Sequence, residues 1–178
     1  MSNVVKLRNL LIQKKDPHWM RFRNQMKDLQ QFDFEKLIEE IRTLHKTRSI
    51  RMLRALSQTS AKQLGDAVGR EIAVRARCAE ICMDVIVMRN LVNKSMSDLK
   101  KYIEAAYPKT LRDFGVTTVT ARKNLLDALL QPYVEKTTIM ETLLELADIV
   151  MIDVDQAGYS VKHLSECITN ATRREFAM

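Results

Sequence analysis

The chain has 178 residues, enough for one domain with a modest core or a small set of long helices. Only four glycines and three prolines are present, with no proline between Pro17 and Pro108, which denies a β-rich fold its turns. The net charge of +7 is uneven: residues 1–62 hold 14 Lys/Arg against 6 Asp/Glu, and the remainder holds 15 against 16. A surplus confined to the first third marks either a surface for nucleic acid or another polyanion, or a basic helix used in assembly.

The three cysteines, Cys78, Cys82 and Cys167, form no tight framework, which suits a reducing compartment and a cytoplasmic protein. The first residues lack an apolar leader, because Lys6, Arg8, Lys14 and Lys15 interrupt them. No uncharged run reaches the roughly 18 residues needed to cross a bilayer, so no membrane is expected.

In chain order, residues 3–14 carry Val4, Leu7, Leu10 and Leu11 at helical spacing. Asp16-Pro17 reads as an N-cap followed by proline in the first turn of a second helix. That helix presents Trp19, Phe22, Met26 and Leu29, which read as core or as an oligomer contact, although Trp19 and Phe22 also suit stacking on bases. After a break at Phe32-Asp33, Leu37, Ile38, Ile41 and Leu44 predict a third helix capped by Asp33.

Arg42 to Gly65 contains no acidic residue. If the protein binds nucleic acid, this window supplies its main cations: Arg42, Lys46, Arg48, Arg51 and Arg54, with Lys109, Arg112, Lys100 and Lys101 as a second rank. The apolar residues Ile50, Leu53 and Leu56 keep the window amphipathic, and Gly65 with Gly69 marks a joint.

Over 70–106, Val74, Cys78, Ile81, Val85, Met88 and Val92 alternate spacings of four and three, and Leu99 continues them. This heptad seam predicts self-association through Val74, Ile81, Val85, Met88 and Val92, or an intramolecular hairpin. Pro108 ends that helix, and Gly115 and the threonines after it form a connector. A short helix with Leu125, Leu126, Leu129 and Leu130 stops near Pro132. A long helix follows from about 134 to 157, with Ile139, Leu143, Leu146 and Val150 on one face. Gly158 then stops it in a left-handed conformation, and a short helix covers 160–172. The fold class expected is all-α: long coiled-coil-like helices in a hairpin or bundle. Residues 1–65 are a basic helical N-terminal arm and 66–178 a helical core.

No phosphate-binding glycine loop, zinc spacing or nucleophile elbow is present, so no enzyme, cofactor or metal is expected. Cys78 and Cys82 read as buried thiols, Asp153 and Asp155 as surface charges, and His163 as a surface or partner residue.

Two stretches carry a family likeness. One is Asp84-Val85-Ile86-Val87-Met88-Arg89-Asn90-Leu91-Val92-Asn93-Lys94 with Leu99-Lys100-Lys101. The other is Asp153 to Leu164, in which Gly158, Tyr159, Val161 and Lys162 follow a long helix. Over about residues 70–170 the chain resembles the UvsY-type recombination mediators of tailed phages. The resemblance implies a non-enzymatic homo-oligomeric ring that binds single-stranded DNA in the host cytoplasm. It would load a recombinase onto strands covered by a single-strand-binding protein. The alternative is a helical structural or assembly protein, such as a virus-particle component, with the basic arm making subunit contacts.

Overall fold

In the computed structural model, which describes residues 2–49 and 60–175, the chain is all-α. Among the described residues there are six helices: α1 (Asn3–Gln13), α2 (Pro17–Gln31), α3 (Phe34–Lys46), α4 (Ala61–Ala106), α5 (Pro108–Asp113) and α6 (Val119–Glu175). No strand occurs among them. The two long helices α4 and α6 pack against each other as a hairpin.

The chain forms two compact units. Unit 1 comprises residues 1–34 and 85–142, and unit 2 comprises 35–84 and 143–178. The expected division after residue 65 is therefore not the one the contacts draw. The N-terminal segment is not a projecting arm either, because α1 and α2 bury their apolar faces within unit 1. Leu7, Leu11, Trp19, Phe22, Met26 and Leu29 are each at most 3% exposed.

Local chemistry sets the ends of the helices in unit 1. Ser2 caps α1, and Asn3 Nδ2 donates to the Phe114 carbonyl at 2.9 Å, tying the start of α1 to the end of α5. α1 closes when Asp16 N–H donates back to the Leu11 carbonyl, with Lys15 at φ 48°. α5 closes in the same way: Val116 N–H donates to the Leu111 carbonyl around Gly115 at φ 74°. Both are six-to-one closures around a left-handed residue. Glycine adopts that conformation freely and lysine at a cost of about 1 kcal/mol. Asp16 caps α2 by accepting the Trp19 main-chain N–H at 2.9 Å, with Pro17 in the first turn. The core of unit 1 is completed by Val92, Met96, Leu99 and Ile103 of α4, by Leu111, and by Leu126, Leu129, Leu130 and Met140 of α6.

In unit 2, α4 starts with a capping box the sequence reading missed. The Ser60 hydroxyl accepts from Gln63 N–H, and the Gln63 carboxamide oxygen accepts from Ser60 N–H. Its buried apolar residues are Ile41, Ala67, Cys78, Ile81, Leu143, Ala147, Val150 and Val154.

Several expectations need correction. Gly65 and Gly69 lie inside α4, and no joint interrupts the helix there. Pro132 does not stop α6, which runs through it. Proline forfeits one main-chain hydrogen bond, and the packed leucines on either side outweigh that loss. The α6 face is shifted by one position from Ile139 and Leu146 to Met140 and Ala147: Ile139 is exposed, Leu146 is half-buried, and only Leu143 and Val150 were placed correctly.

Gly158 neither ends α6 nor has a positive φ, and the separate helix expected over 160–172 is the continuation of α6. A β-carbon at Gly158 would have no heavy atom within 4 Å. Gly158→Ala should therefore raise stability, by about 0.5–1 kcal/mol, because alanine is the better helix former and orders less chain entropy. Urea unfolding of the two proteins checks this; a less stable alanine variant would restore the turn.

Candidate nucleic-acid interface

Burial decides what the seam residues are free to do. Val85 and Val92 are fully buried in unit 1, with Met88 half-buried; Ile81 is buried and Val74 half-buried in unit 2. Ile81, Val85 and Val92 are thus covered within a single chain, so at these three positions the four-three spacing serves intramolecular packing. Cys78 is buried and Cys82 half-buried, and burial raises both thiol pKa values above the ordinary range. Among the described residues no group of three His, Cys, Asp or Glu is placed to hold a metal ion. No helix there is long and apolar enough to cross a membrane.

The expected basic window divides. Arg51 and Arg54, with Ile50, Leu53 and Leu56, lie outside the described residues. Arg48 is buried, so it cannot meet a strand. Its Nε donates to Glu71 Oε2 at 2.7 Å, with side-chain exposures of 3% and 4%. Its Nη2 donates to the Asp153 carbonyl, and its Nη1 lies 3.3 Å from Asp153 Oδ2. His45 Nε2 lies 3.0 Å from the same carboxylate oxygen. Asp153 is therefore an internal anchor of unit 2 and not a surface charge. Arg42 is exposed, 3.8 Å from Glu39, and Lys46 is exposed at the end of α3. Lys109 and Arg112 are exposed on α5 in unit 1. His163 is exposed, 3.8 Å from Glu166.

Other arginines of unit 2 are similarly engaged. Arg75 is bidentate to Asp155. Arg77 is bidentate to Glu40 and also reaches Glu80. The Arg77 hydrogen bond holds the Glu40 carboxyl below its usual pKa range.

The fold redistributes the charge. The sequence of unit 1 holds 16 Lys/Arg against 9 Asp/Glu, and that of unit 2 holds 13 against 13. The whole surplus of seven thus belongs to unit 1, nine of whose 16 cations come from residues after 84.

Within unit 1, α2 and α4 flank a groove of about 470 Å³. His18, Arg21 and Gln25 line it from α2; Lys94, Ser95, Asp98, Lys101 and Tyr102 line it from α4. Arg21, Lys94 and Lys101 are exposed and make no ion pair among the described residues. Ser95 Oγ donates to Gln25 Oε1 at 3.2 Å across the floor. The His18 and Tyr102 rings stack at 3.8 Å.

One end of the groove is fixed by Asp16. Its Oδ2 accepts the Tyr107 hydroxyl at 2.6 Å and the Tyr102 hydroxyl at 2.8 Å, while its Oδ1 caps α2. Burial raises the carboxyl pKa, but the donors from Tyr107, the Trp19 main chain and Tyr102 outweigh it and leave it below the usual range. The pKa values of Tyr102, bonded to the carboxylate, and of half-buried Tyr107, desolvated and bonded to it, are both raised. Lys14 Nζ sits 5.2 Å from the centre of the Tyr107 ring. Asp16 is legible in the sequence as a cap, but its tyrosines, 86 and 91 residues away, are not.

Compared with protein-family models, curated proteins and solved structures, the chain matches none of them.

Two variants separate fold from interface. Arg48→Ala removes the cation held by buried Glu71 and should cost about 3 kcal/mol of stability in urea unfolding; a change within experimental error would return Arg48 to the surface. Asp16→Asn keeps a cap acceptor and loses the charge that the two tyrosines solvate. Because the folded pKa is depressed, the carboxylate's contribution is complete above the unfolded value, near 3.9, and is lost as pH falls through the folded value. Wild type should exceed the variant by about 1–3 kcal/mol at pH 7 and by much less at pH 3. A gap that widens on acidification would contradict this assignment.

Proposed function

We propose that the protein is a non-enzymatic binder of single-stranded nucleic acid and that it meets the strand through unit 1. The observation that carries this reading is the charge placement: the entire surplus lies in unit 1, where the α2–α4 groove gathers Arg21, Lys94 and Lys101 around a stacked His18–Tyr102 pair. Cations tracking a backbone beside an aromatic platform are what sequence-tolerant binding of a single strand requires. Arg42 and Lys46 contribute less, because they belong to the unit with no net charge.

The mediator role, with a recombinase and a single-strand-binding protein as partners, rests on the resemblance of 84–94 and 99–101 to the UvsY-type family. Those stretches contain Lys94 and Lys101, which line the groove. The second stretch gives less support, since Gly158 lies within a continuous helix. The alternative, an assembly protein, is favoured by a different feature. In unit 2, Ile149, Ile152 and Tyr159 are exposed at three- to seven-residue spacing along α6, and Ile72 and Met83 are exposed on α4. Such residues suit a helical neighbour.

Titration of labelled single-stranded DNA at several salt concentrations decides between the two. The Lys94→Ala/Lys101→Ala variant should lose about tenfold or more in affinity. Its salt slope should fall by about 0.7 for each phosphate contact removed. Arg42→Ala/Lys46→Ala should change both far less. A wild type without salt-dependent binding would leave the assembly reading in its place.

A further inference from the structure

On the other flank of α2, unit 1 contains a second cavity of about 260 Å³, lined by Arg8, Ile12, Trp19, Arg23, Pro132 and Tyr133. Its composition differs from that of the groove: two guanidinium groups, no carboxylate, and a wall of aromatic and apolar side chains. Neither Arg8 nor Arg23 makes an ion pair among the described residues.

The second observation is independent of charge. Trp19 is 3% exposed, and its indole Nε1–H has no hydrogen-bond partner among the described residues. A buried donor left unmade is costly and rare in a native protein. The ring is held in place: Trp19 stacks on Phe22 at 5.9 Å, and Phe22 meets Tyr133 edge-on at 4.9 Å. The main-chain N–H of Trp19 is fixed on Asp16. The indole N–H therefore belongs to a residue that lines a cationic cavity, and because the nitrogen itself is covered, an acceptor reaches it by displacing a neighbouring side chain.

We propose that this cavity takes one phosphate group of a nucleotide, with its oxygens on the Arg8 and Arg23 guanidinium groups and one acceptor meeting the Trp19 indole N–H. Guanidinium forks match phosphate oxygens in pairs, and two of them supply the charge that a phosphate monoester or diester requires. Tyr133, Ile12 and Pro132 supply the surface on which the attached sugar or base lies. The phosphate belongs either to a free mononucleotide or to a strand already held in the α2–α4 groove. In the second case the inference rests on the nucleic-acid reading above.

Trp19 is the only tryptophan in the chain, so its emission reports on this cavity directly. The full-length protein is titrated with inorganic phosphate, a 5′-mononucleotide, and an oligothymidylate with and without a 5′-phosphate. A saturable change in emission with the mononucleotide supports a free ligand; a change with the oligothymidylates alone supports a strand phosphate. Arg8→Gln/Arg23→Gln, with an unchanged melting temperature, should weaken the response about tenfold or more. Arg23→Gln alone, at an exposed position, serves if the double variant is unstable. Trp19→Phe, shown by its melting temperature to remain folded and followed by calorimetry, should lose about tenfold in affinity, because an aromatic ring remains while the donor goes.

No response to any of these probes, or an equal response in the arginine variants, overturns the proposal. Equal affinity in Trp19→Phe overturns the role of the indole. The Lys94→Ala/Lys101→Ala variant keeps the two ideas apart. Loss of its strand binding with the mononucleotide response intact supports both, whereas retention of both overturns only the groove.

Discussion

The buried carboxylate of Asp16 is the constraint on which unit 1 depends. One oxygen starts α2, beside the main-chain N–H that closes α1; the other gathers two tyrosine hydroxyls, from α4 and from the residue before α5. A carboxylate can be buried at tolerable cost only when such donors surround it. Satisfying it fixes the height of α2 against α4 and hence the phase of the whole helix. His18, Arg21 and Gln25 then fall on the groove, while Trp19 and Arg23 fall on the opposite flank beside α1 and α6. A helix turned by a single residue would place Trp19 on the groove and leave Arg21 elsewhere.

How the two units hold themselves together explains where the free charge is found. Unit 2 has a lean apolar core that includes two alanines, Ala67 and Ala147, and its helices are joined by ion pairs. Arg48 links Glu71 and Asp153, Arg75 holds Asp155, and Arg77 holds Glu40. These three cations are committed to joining helices, and the charges of the unit balance. Unit 1 is held by larger side chains, namely Trp19, Phe22, Met26 and the leucines of α6, and the long-range ion pair among its described residues is Lys100 with Asp127. An apolar and aromatic core leaves the arginines and lysines of α1, α2 and α4 available for a polyanion.

This division also accounts for what could be read in the sequence. Local signals were legible. Asp16-Pro17 began a helix, the four-three repeat of α4 gave a buried stripe, and the leucines at 125–130 lay in the core. Each depends on neighbours within one or two turns. The errors came where a distant element decides the outcome. Gly158 and Pro132 carry strong stop signals, yet α6 runs through both, and around Pro132 the buried Leu129, Leu130 and Met140 hold it in place. The α6 face was misplaced by one position because Ile139 and Leu146 are as apolar as Met140 and Ala147, and a 3.6-residue period cannot separate adjacent stripes on composition alone.

Most of the candidate interface is not legible in the sequence for a related reason: of its three cations, only Lys101 stands among the second-rank candidates. Local density of positive charge selected residues 42–54, where no acid interrupts the run. Density along the chain says nothing about the acids that other helices bring. Glu71 and Asp153 stand 23 and 105 residues from Arg48 and consume it. Arg21, Lys94 and Lys101 are scattered in the sequence, and Asp98 lies between two of them, so no window displays them together. Only the pairing of α2 with α4, set by Asp16, converts three dispersed cations into one groove. The Trp19 indole donor, buried without a partner, is likewise invisible until α1, α2 and α6 close around it. Both features arise from tertiary neighbours, so charge and hydrogen bonding must be counted over the folded unit before a partner is inferred from either.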